Sequence, residues 1–526
     1  MIVTFYGAAR EVTGSMHLIA TSKDNILLDC GMFQGRRKEA QAKNTVMPLD
    51  PSLITNVLLS HAHIDHSGRI PLLTKNGFKG DIVCTRSTMD TSRLLLKDSA
   101  HIQESDASYL NYKTAKRFLE RCARHAGPHQ MCEPEIKEIR SRLKVKGHKL
   151  NDKVIKDLLL EHNLNIVEPL YTMEDAEDSL QFFRGVPYQH PVTVGHRVTC
   201  TFYDAGHILG SSMVALNLEE NGRKYTILFT GDVGRFDKPI IEDPTLNFDG
   251  KDRNVDLLII ESTYGDRTHQ PVQDLKDSLK QVITETVHRG GSVIIPSFAY
   301  GRTQELIYFL HELYMNNEVP KVPVYVDSPL ATEITRVFGE HPEVYDRETR
   351  EVFLKQGVNP FTFPMLRFVE TVEESMALNR DKTPHIVLAG SGMCEGGRIL
   401  HHLRHKIHNE LNTILIVGYM AQNTLGRRIQ ELGQKYEASG RKGNPPLLKF
   451  YNKEYPLKAR VVKIDGFSAH ADREELHTFI KKSNLKIKNV AVVHGEEDQA
   501  LSFAGYLEKD GYKVFVPKRG QSLRIS

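Results

Sequence analysis

Up to about residue 90 the chain carries short apolar runs broken by glycine-rich turns. Asn25-Ile26-Leu27-Leu28-Asp29 and Asn56-Val57-Leu58-Leu59-Ser60 each predict a buried strand, and residues 1–7 read as another. Between about 88 and 185 the pattern changes. Strand runs stop there, and apolar positions such as Leu94-Leu95-Leu96 and Phe118-Leu119 fall at helical spacing among charges. Strand signals return near Arg197 and continue to Glu261, through residues 224–229 and 256–260. From about 270 to 440, apolar strand, glycine turn and amphipathic helix alternate, which predicts a parallel α/β unit. Residues 439–446, rich in Gly, Lys and Pro, predict an exposed loop, with more strands after it.

A chain of 526 residues is long enough for two or three cores. Its 40% hydrophobic and 26% charged residues are ordinary globular proportions, which excludes wholesale disorder. A net charge of +3 excludes a polybasic coat for nucleic acid but leaves room for a local basic channel. Lys113 to Asn165 holds 13 Lys/Arg against 7 Asp/Glu, either a solvated helical face or a basic arm beside a nucleic-acid path. Cys30, Cys84, Cys122, Cys132, Cys200 and Cys394 are scattered without disulfide spacing. No leader pattern opens the chain, and no apolar run reaches the roughly 18–20 residues that cross a bilayer. The expectation is a soluble cytoplasmic protein with no membrane partner. Within the basic stretch, Cys122, His125, His129 and Cys132 are spaced either for an extra zinc site or for an ordinary helix and turn.

The 24 histidines matter for where they fall. His61-Ala62-His63-Ile64-Asp65-His66 leaves a buried-looking strand directly, so four potential ligands share one tight turn. Imidazole and carboxylate together suit zinc, and burying four such groups unpaired would be costly. Four more candidates repeat one placement at strand ends beside glycine: Asp29, His207 in Gly206-His207, Asp232 in Thr230-Gly231-Asp232, and His494. Glycine there lets the backbone turn sharply. Alone, any one of them is equally a turn or cap residue.

HAHIDH, followed by a Gly-His, a Thr-Gly-Asp and a late His, resembles the metallo-β-lactamase superfamily, two β-sheets between helices. The resemblance implies two Zn2+ per chain. His61, His63 and His207 would hold one, Asp65, His66 and His494 the other, with Asp232 between them and Asp29 orienting a ligand from behind. The metal motif alone is shared with lactonases and thioesterases. Glu261-Ser262-Thr263-Tyr264-Gly265, Phe467-Ser468-Ala469-His470-Ala471-Asp472 and His494-Gly495-Glu496 also resemble motifs A, B and C of the β-CASP nucleases. That family carries an α/β domain inserted between A and B. The implied architecture is a metallo-β-lactamase sandwich over 1–265, with a helical basic insertion at about 90–185, a β-CASP domain over 266–455, and a return to the sandwich over 456–526. Within the family a histidine as motif C marks RNA-processing members, so His494 favours RNA over DNA repair.

The inserted segment carries phosphate-binding chemistry of its own. Three strand–glycine–helix units lead through Tyr300-Gly301-Arg302, through residues 390–397, and through residues 424–428. Helix N-termini on one side make an anion site, although such glycines also make plain βα turns. Arg302, Ser391, Gly392, Arg427 and Ser468 are the candidate phosphate contacts, and these runs resemble the family's AxGRxQE, SSGMCxGG and GTLGRR segments. By that resemblance two zinc ions about 3.5–4 Å apart would make hydroxide available at neutral pH. Asp65 would orient it, and His470, its tautomer held by Glu261, would act as general acid. The expected substrate is single-stranded RNA, cut endonucleolytically, with 5′-exonucleolytic action a further expectation and a homodimer an open one. The opening residues 7–15 resemble prokaryotic homologues of the cleavage and polyadenylation endonuclease subunit. The rivals are a hydrolase of a small ester or thioester on the same fold and a non-catalytic RNA-processing subunit, although degenerate subunits lack ligands and here every motif is filled.

Overall fold

A computed structural model describes every residue except 36, 124–132, 146–148, 452 and 526. Strands Ile2–Gly7, Met16–Ala20, Asn25–Leu28, Asn56–Leu58, Asp81–Thr85 and Phe183–Val186 lie side by side in chain order. Gln521–Arg524 closes the near edge of that sheet against Ile2–Gly7. A second sheet runs Val192–Gly195, Val198–Asp204, Ser212–Glu220, Arg223–Phe229, Leu257–Ile260, Val490–Val492 and Val514–Phe515.

Alternation along these strands sends one set of side chains inward. Val3, Phe5, Ile19 and Leu28 meet Phe202, Val214, Ile227 and Ile259 in a dry layer between the sheets. The outward set is also apolar and is covered by helices. Leu27, Val57 and Ile82 pack on Leu73, Leu96 and Tyr171, and Leu228, Leu258 and Val490 pack on Leu476, Phe479 and Phe503. Each such fully buried side chain contributes roughly 1.5–3 kcal/mol. The result is a four-layered αββα sandwich, as the sequence predicts.

The third sheet is wholly parallel, in the spatial order Leu366–Phe368, Val324–Asp327, Ile386–Ala389, Val293–Pro296, Thr413–Ile416, Arg460–Lys463. Helix Arg302–Met315 lays Leu306 and Leu310 on the face carrying Ile295 and Leu388. Helices Ile399–Lys406 and Leu425–Ala438 lay Leu403 and Ile429 on the opposite face, against Ile294 and Val387. Burial on both faces explains why these strands read as unbroken apolar runs. The last strand, Arg460–Lys463, comes after residue 455, where the sequence reading has the chain return to the sandwich.

The charged stretch is helical, as expected. Helix Arg86–Cys122, 37 residues long, runs outward and shares a small core with Glu133–Arg142 and Asp152–Glu161, through Ala115, Leu119, Ile136 and Leu159. Cys122 is half-buried on that helix, while His125, His129 and Cys132 lie outside the described residues. The sequence reading resumes strands only near Arg197, yet Phe183–Val186 and Val192–Gly195 precede that point. Both are outermost strands of their sheets, and edge strands keep polar residues that blur the alternation. No helix among the described residues is long and apolar enough to cross a membrane.

Candidate metal centre

The C-terminal ends of several sandwich strands meet at one edge, and each turns away abruptly. Asp29 follows Asn25–Leu28 at φ 58°, and His494 lies just past Val490–Val492 at φ 50°. Left-handed backbone at a non-glycine residue costs of order 1–2 kcal/mol and persists only where the surroundings impose it. Close approach of the turns does so here. A Cβ on Gly31 would sit 1.6 Å from the Asp65 carbonyl oxygen, and one on Gly234 would sit 1.7 Å from that of Gly206. Glycine is obligatory at both places, and the turns that carry Asp29, Asp65, His207 and Asp232 are thereby clamped together.

The clamped side chains form two groups. One ligand atom from each of His61, His63, His207 and Asp232 lies within 4.8 Å of the others, and the same holds for Asp65, His66 and His494. Asp232 spans the groups. Its Oδ2 is 3.4 Å from His61 Nε2 and 3.6 Å from His207 Nε2, while its Oδ1 is 3.3 Å from His66 Nε2 and 3.5 Å from His494 Nδ1. Both His207 ring nitrogens and Asp232 Oδ1 are buried without a hydrogen-bond partner, an arrangement that polar atoms adopt at a cost of about 1–3 kcal/mol each unless a cation satisfies them. The donor set, nitrogen and carboxylate oxygen only, is the one zinc takes.

Electrostatics agree. Burial, reinforced by neighbouring imidazoles, holds His61 and His207 well below the usual histidine range, and burial brings His63 down to about 4. These three are neutral, as metal ligands must be. Burial works against ionised Asp65 and Asp232, but the surrounding histidines outweigh it, bringing Asp65 to about 2 and Asp232 well below its usual range. The first group therefore offers neutral nitrogen and charged oxygen together, whereas His66 in the second is pushed well above the usual histidine range, against burial, by Asp232 and Asp29, and has to release a proton to take a metal.

Asp29 stands behind the second group. It is fully buried, accepts hydrogen bonds from Ser15 Oγ (3.0 Å), Ser60 N (2.8 Å) and Ser60 Oγ (3.0 Å), and lies 2.6 Å from His66 Nδ1. Fixing Nδ1 leaves His66 Nε2 facing the cluster. Thr263 does the same for His494, with Oγ1 3.1 Å from Nδ1. The sequence reading names Asp29 but passes over Ser15, Ser60 and Thr263. Ser60 directly precedes His61 and Thr263 lies two residues past Glu261, so adjacency to a motif is the signal that could have found them.

His470 approaches the first group from the side. Its ring lies 4.5 Å from that of His207, and its Nδ1 is 3.2 Å from each oxygen of fully buried Glu261. Glu261 is fixed by backbone N–H groups of Val233 (2.7 Å) and Thr263 (3.3 Å). Glu261 also lies near Asp232 and His494, but its oxygens are already engaged by these donors and by His470. Burial opposes a charge on His470, yet Glu261 and then Asp232 outweigh it and push the pKa up to about 9.

The phosphate candidates are distributed along the facing edge. Arg302 is half-buried, ion-paired to Glu305 and lies over the Phe467 ring at 5.3 Å. Glu305 also takes buried Lys238 at 3.2 Å, so this pocket keeps one surplus positive charge. Ser391 Oγ accepts from Glu395 N (3.1 Å) and Gly396 N (3.2 Å) and shapes its loop. Gly392 lies flat on the Phe298 ring, and Arg427, part-exposed, pairs with Glu431 at 2.6 Å. Ser468 Oγ accepts the His470 amide at 3.2 Å. Tyr300 joins the two edges: its hydroxyl donates to Leu209 O at 2.5 Å and its ring lies 5.2 Å from that of His63.

Comparison with known proteins agrees with this geometry. Residues 9–116 match the metallo-beta-lactamase superfamily, 303–429 the Beta-Casp domain, and 454–517 the Zn-dependent metallo-hydrolase RNA specificity domain. Ribonuclease TTHA0252 of Thermus thermophilus is 32% identical over 525 residues, which cover all of both chains. The chain belongs to the β-CASP family of the metallo-β-lactamase superfamily. Membership makes it a metal-binding hydrolase. Transcription termination factor FttA of Methanosarcina mazei is 28% identical to this β-CASP protein over 510 residues, 96% of this chain and 69% of that one. FttA of a Lokiarchaeum is 29% identical over 96% of this chain and 68% of its own length. A protein of unknown function from Enterococcus faecalis shares the fold, with a TM-score of 0.51 and 12% identity over 99% of each chain.

Proposed function

We propose that this β-CASP protein is a zinc-dependent ribonuclease that hydrolyses phosphodiester bonds of single-stranded RNA, chiefly as an endonuclease. The observation that carries the reading is Asp232, which offers one oxygen to each of two ligand groups beside a histidine held by a buried glutamate. Two zinc ions bound by His61, His63, His207, Asp65, His66, His494 and Asp232 would supply hydroxide at neutral pH and neutralise charge on the phosphate. Asp65, part-exposed and 3.6 Å from His494 Nε2, would orient the attacking water. His470, with Nδ1 engaged by Glu261, presents Nε2 to the departing oxygen and gives it a proton. Arg302, Ser391, Gly392, Arg427 and Ser468 would hold the flanking phosphates. A water nucleophile leaves a 5′-phosphate and a 3′-hydroxyl and does not use the substrate 2′-hydroxyl.

The division into a sandwich and an inserted β-CASP unit that begins near residue 266 belongs to the same proposal, with the return to the sandwich moved from 456 to beyond Lys463, whose strand completes the parallel sheet. So do a cytoplasmic location, consistent with the five free cysteines among the described residues, and a homodimer. The test is incubation of zinc-loaded protein with 5′-labelled single-stranded RNA and its DNA counterpart, beside an Asp65→Ala, His66→Ala double variant. RNA cleavage lost in the variant is the expected result, and the product ladder separates endonucleolytic from exonucleolytic action. Two zinc ions bound without cleavage of either polymer would favour the small-ester hydrolase or a subunit that needs a partner.

A further inference from the structure

Phe298 and Tyr419 are large aromatic side chains left in water beside the site, 42% and 59% exposed. Phe298 follows strand Val293–Pro296 and Tyr419 follows Thr413–Ile416. These strands are parallel neighbours, with Ile294 opposite Ile414, so the two aromatics leave the sheet together at its glycine-lined edge. Gly392 braces one face of Phe298, since a Cβ there would strike the ring at 2.6 Å. Gly418, next to Tyr419, lies against the same ring, its Cβ position 3.9 Å away. Tyr419 in turn is near enough to Tyr264 and Arg267 of the sandwich to influence their ionisation. Tyr264 lies 6.2 Å from His470, ring to ring. Aromatic rings therefore stand both beside the proposed general acid, at Tyr264, and at the glycine loops, at Phe298 and Tyr419.

We propose that Phe298 and Tyr419 form a stacking platform for the bases that flank the scissile phosphate of single-stranded RNA. The proposal rests on the ribonuclease reading and deepens it. Phosphate ligands fix the backbone of a nucleic acid but leave its bases free, and an unpaired base seeks a flat apolar partner. Every base has a π-face, so such a platform tolerates any sequence and prefers purines for their larger area. Phe298 is backed by the glycines Gly392 and Gly418, neither ring stacks on another aromatic among the described residues, and both stand where a strand held by Ser391 and Arg427 would present its bases.

The experiment pairs Phe298→Ala and Tyr419→Ala with short RNAs that carry one abasic ribose at each position in turn. Metal content and melting temperature of the variants check that the fold is kept, and Phe298→Tyr and Tyr419→Phe supply ring-bearing partners. Each alanine variant is expected to raise KM by about fivefold to a hundredfold, more than it lowers kcat. The ring-bearing variants should restore KM. One or two abasic positions should penalise the wild type and cost the matching variant nothing further. An abasic penalty equal in wild type and variants at every position would overturn the platform while leaving the ribonuclease reading intact. A wild type that cleaves no RNA would overturn both.

Discussion

Two strand edges face each other across this molecule and are built in opposite ways. At the sandwich edge the groups are side chains, buried and rigidly turned: His61, His66, His207, Asp232 and His494 are each at most 3% exposed. At the edge of the parallel sheet the groups are backbone and open side chains, on loops of glycine with Phe298, Tyr419 and Arg427 in water. The first edge suits bond breaking, because ligand geometry must be held within tenths of an ångström and desolvation strengthens every charge. The second suits holding a polymer, because repeated phosphates and varied bases require many adaptable contacts rather than one fixed constellation. Division of labour between the edges means that substitutions on one should change kcat and metal content, and those on the other KM.

The harshest way to break that division is Asp232→Ala, which removes a ligand from both groups at once. Metal content should fall and cleavage disappear, measured by elemental analysis and gel assay. His470→Ala should lower kcat by about 10²–10⁴-fold while the protein keeps its full metal content. Loss of metal in that variant would make His470 a ligand instead. Glu261→Gln should be milder and diagnostic. Glu261 is the largest influence raising the His470 pKa, so its loss should move the alkaline limb of kcat to lower pH, as the acid loses its proton sooner. Asp29→Asn should weaken metal affinity by about 10–100-fold, read by competition with a chelator. Smallest of all, Arg427→Ala should raise KM roughly fivefold, the equivalent of about 1 kcal/mol, and flatten its dependence on salt. Should it lower kcat instead, the two edges would not be separable.

Much of this was legible in the residues, and the reasons differ by region. HAHIDH is compact in sequence, so its convergence could be read from spacing alone. His207, Asp232 and His494 are separated by long stretches, and only the shared sign of a strand end beside glycine, together with the family pattern, linked them. The parallel sheet was legible because burial on both faces leaves unbroken apolar runs. Phe183–Val186 and Val192–Gly195 were not, since edge strands alternate poorly. The supports behind the ligands were hidden for another reason. Ser15, Ser60 and Thr263 act through hydroxyl groups that are common everywhere, and nothing local tells a serine that holds Asp29 from one that faces water. Arg302 illustrates the reverse limit: its sequence context suggests a free cation, while the fold gives it Glu305.

Tyr300 ties the metal centre to the inserted unit. It grows from the inserted unit yet ends against the carbonyl of Leu209 and the ring of His63. A sandwich shorn of its insert would leave that imidazole wall open and one loop unfastened. The inserted unit is thus part of the wall of the metal centre, and a cut at the domain boundaries would remove a fastening of the loop that carries His207.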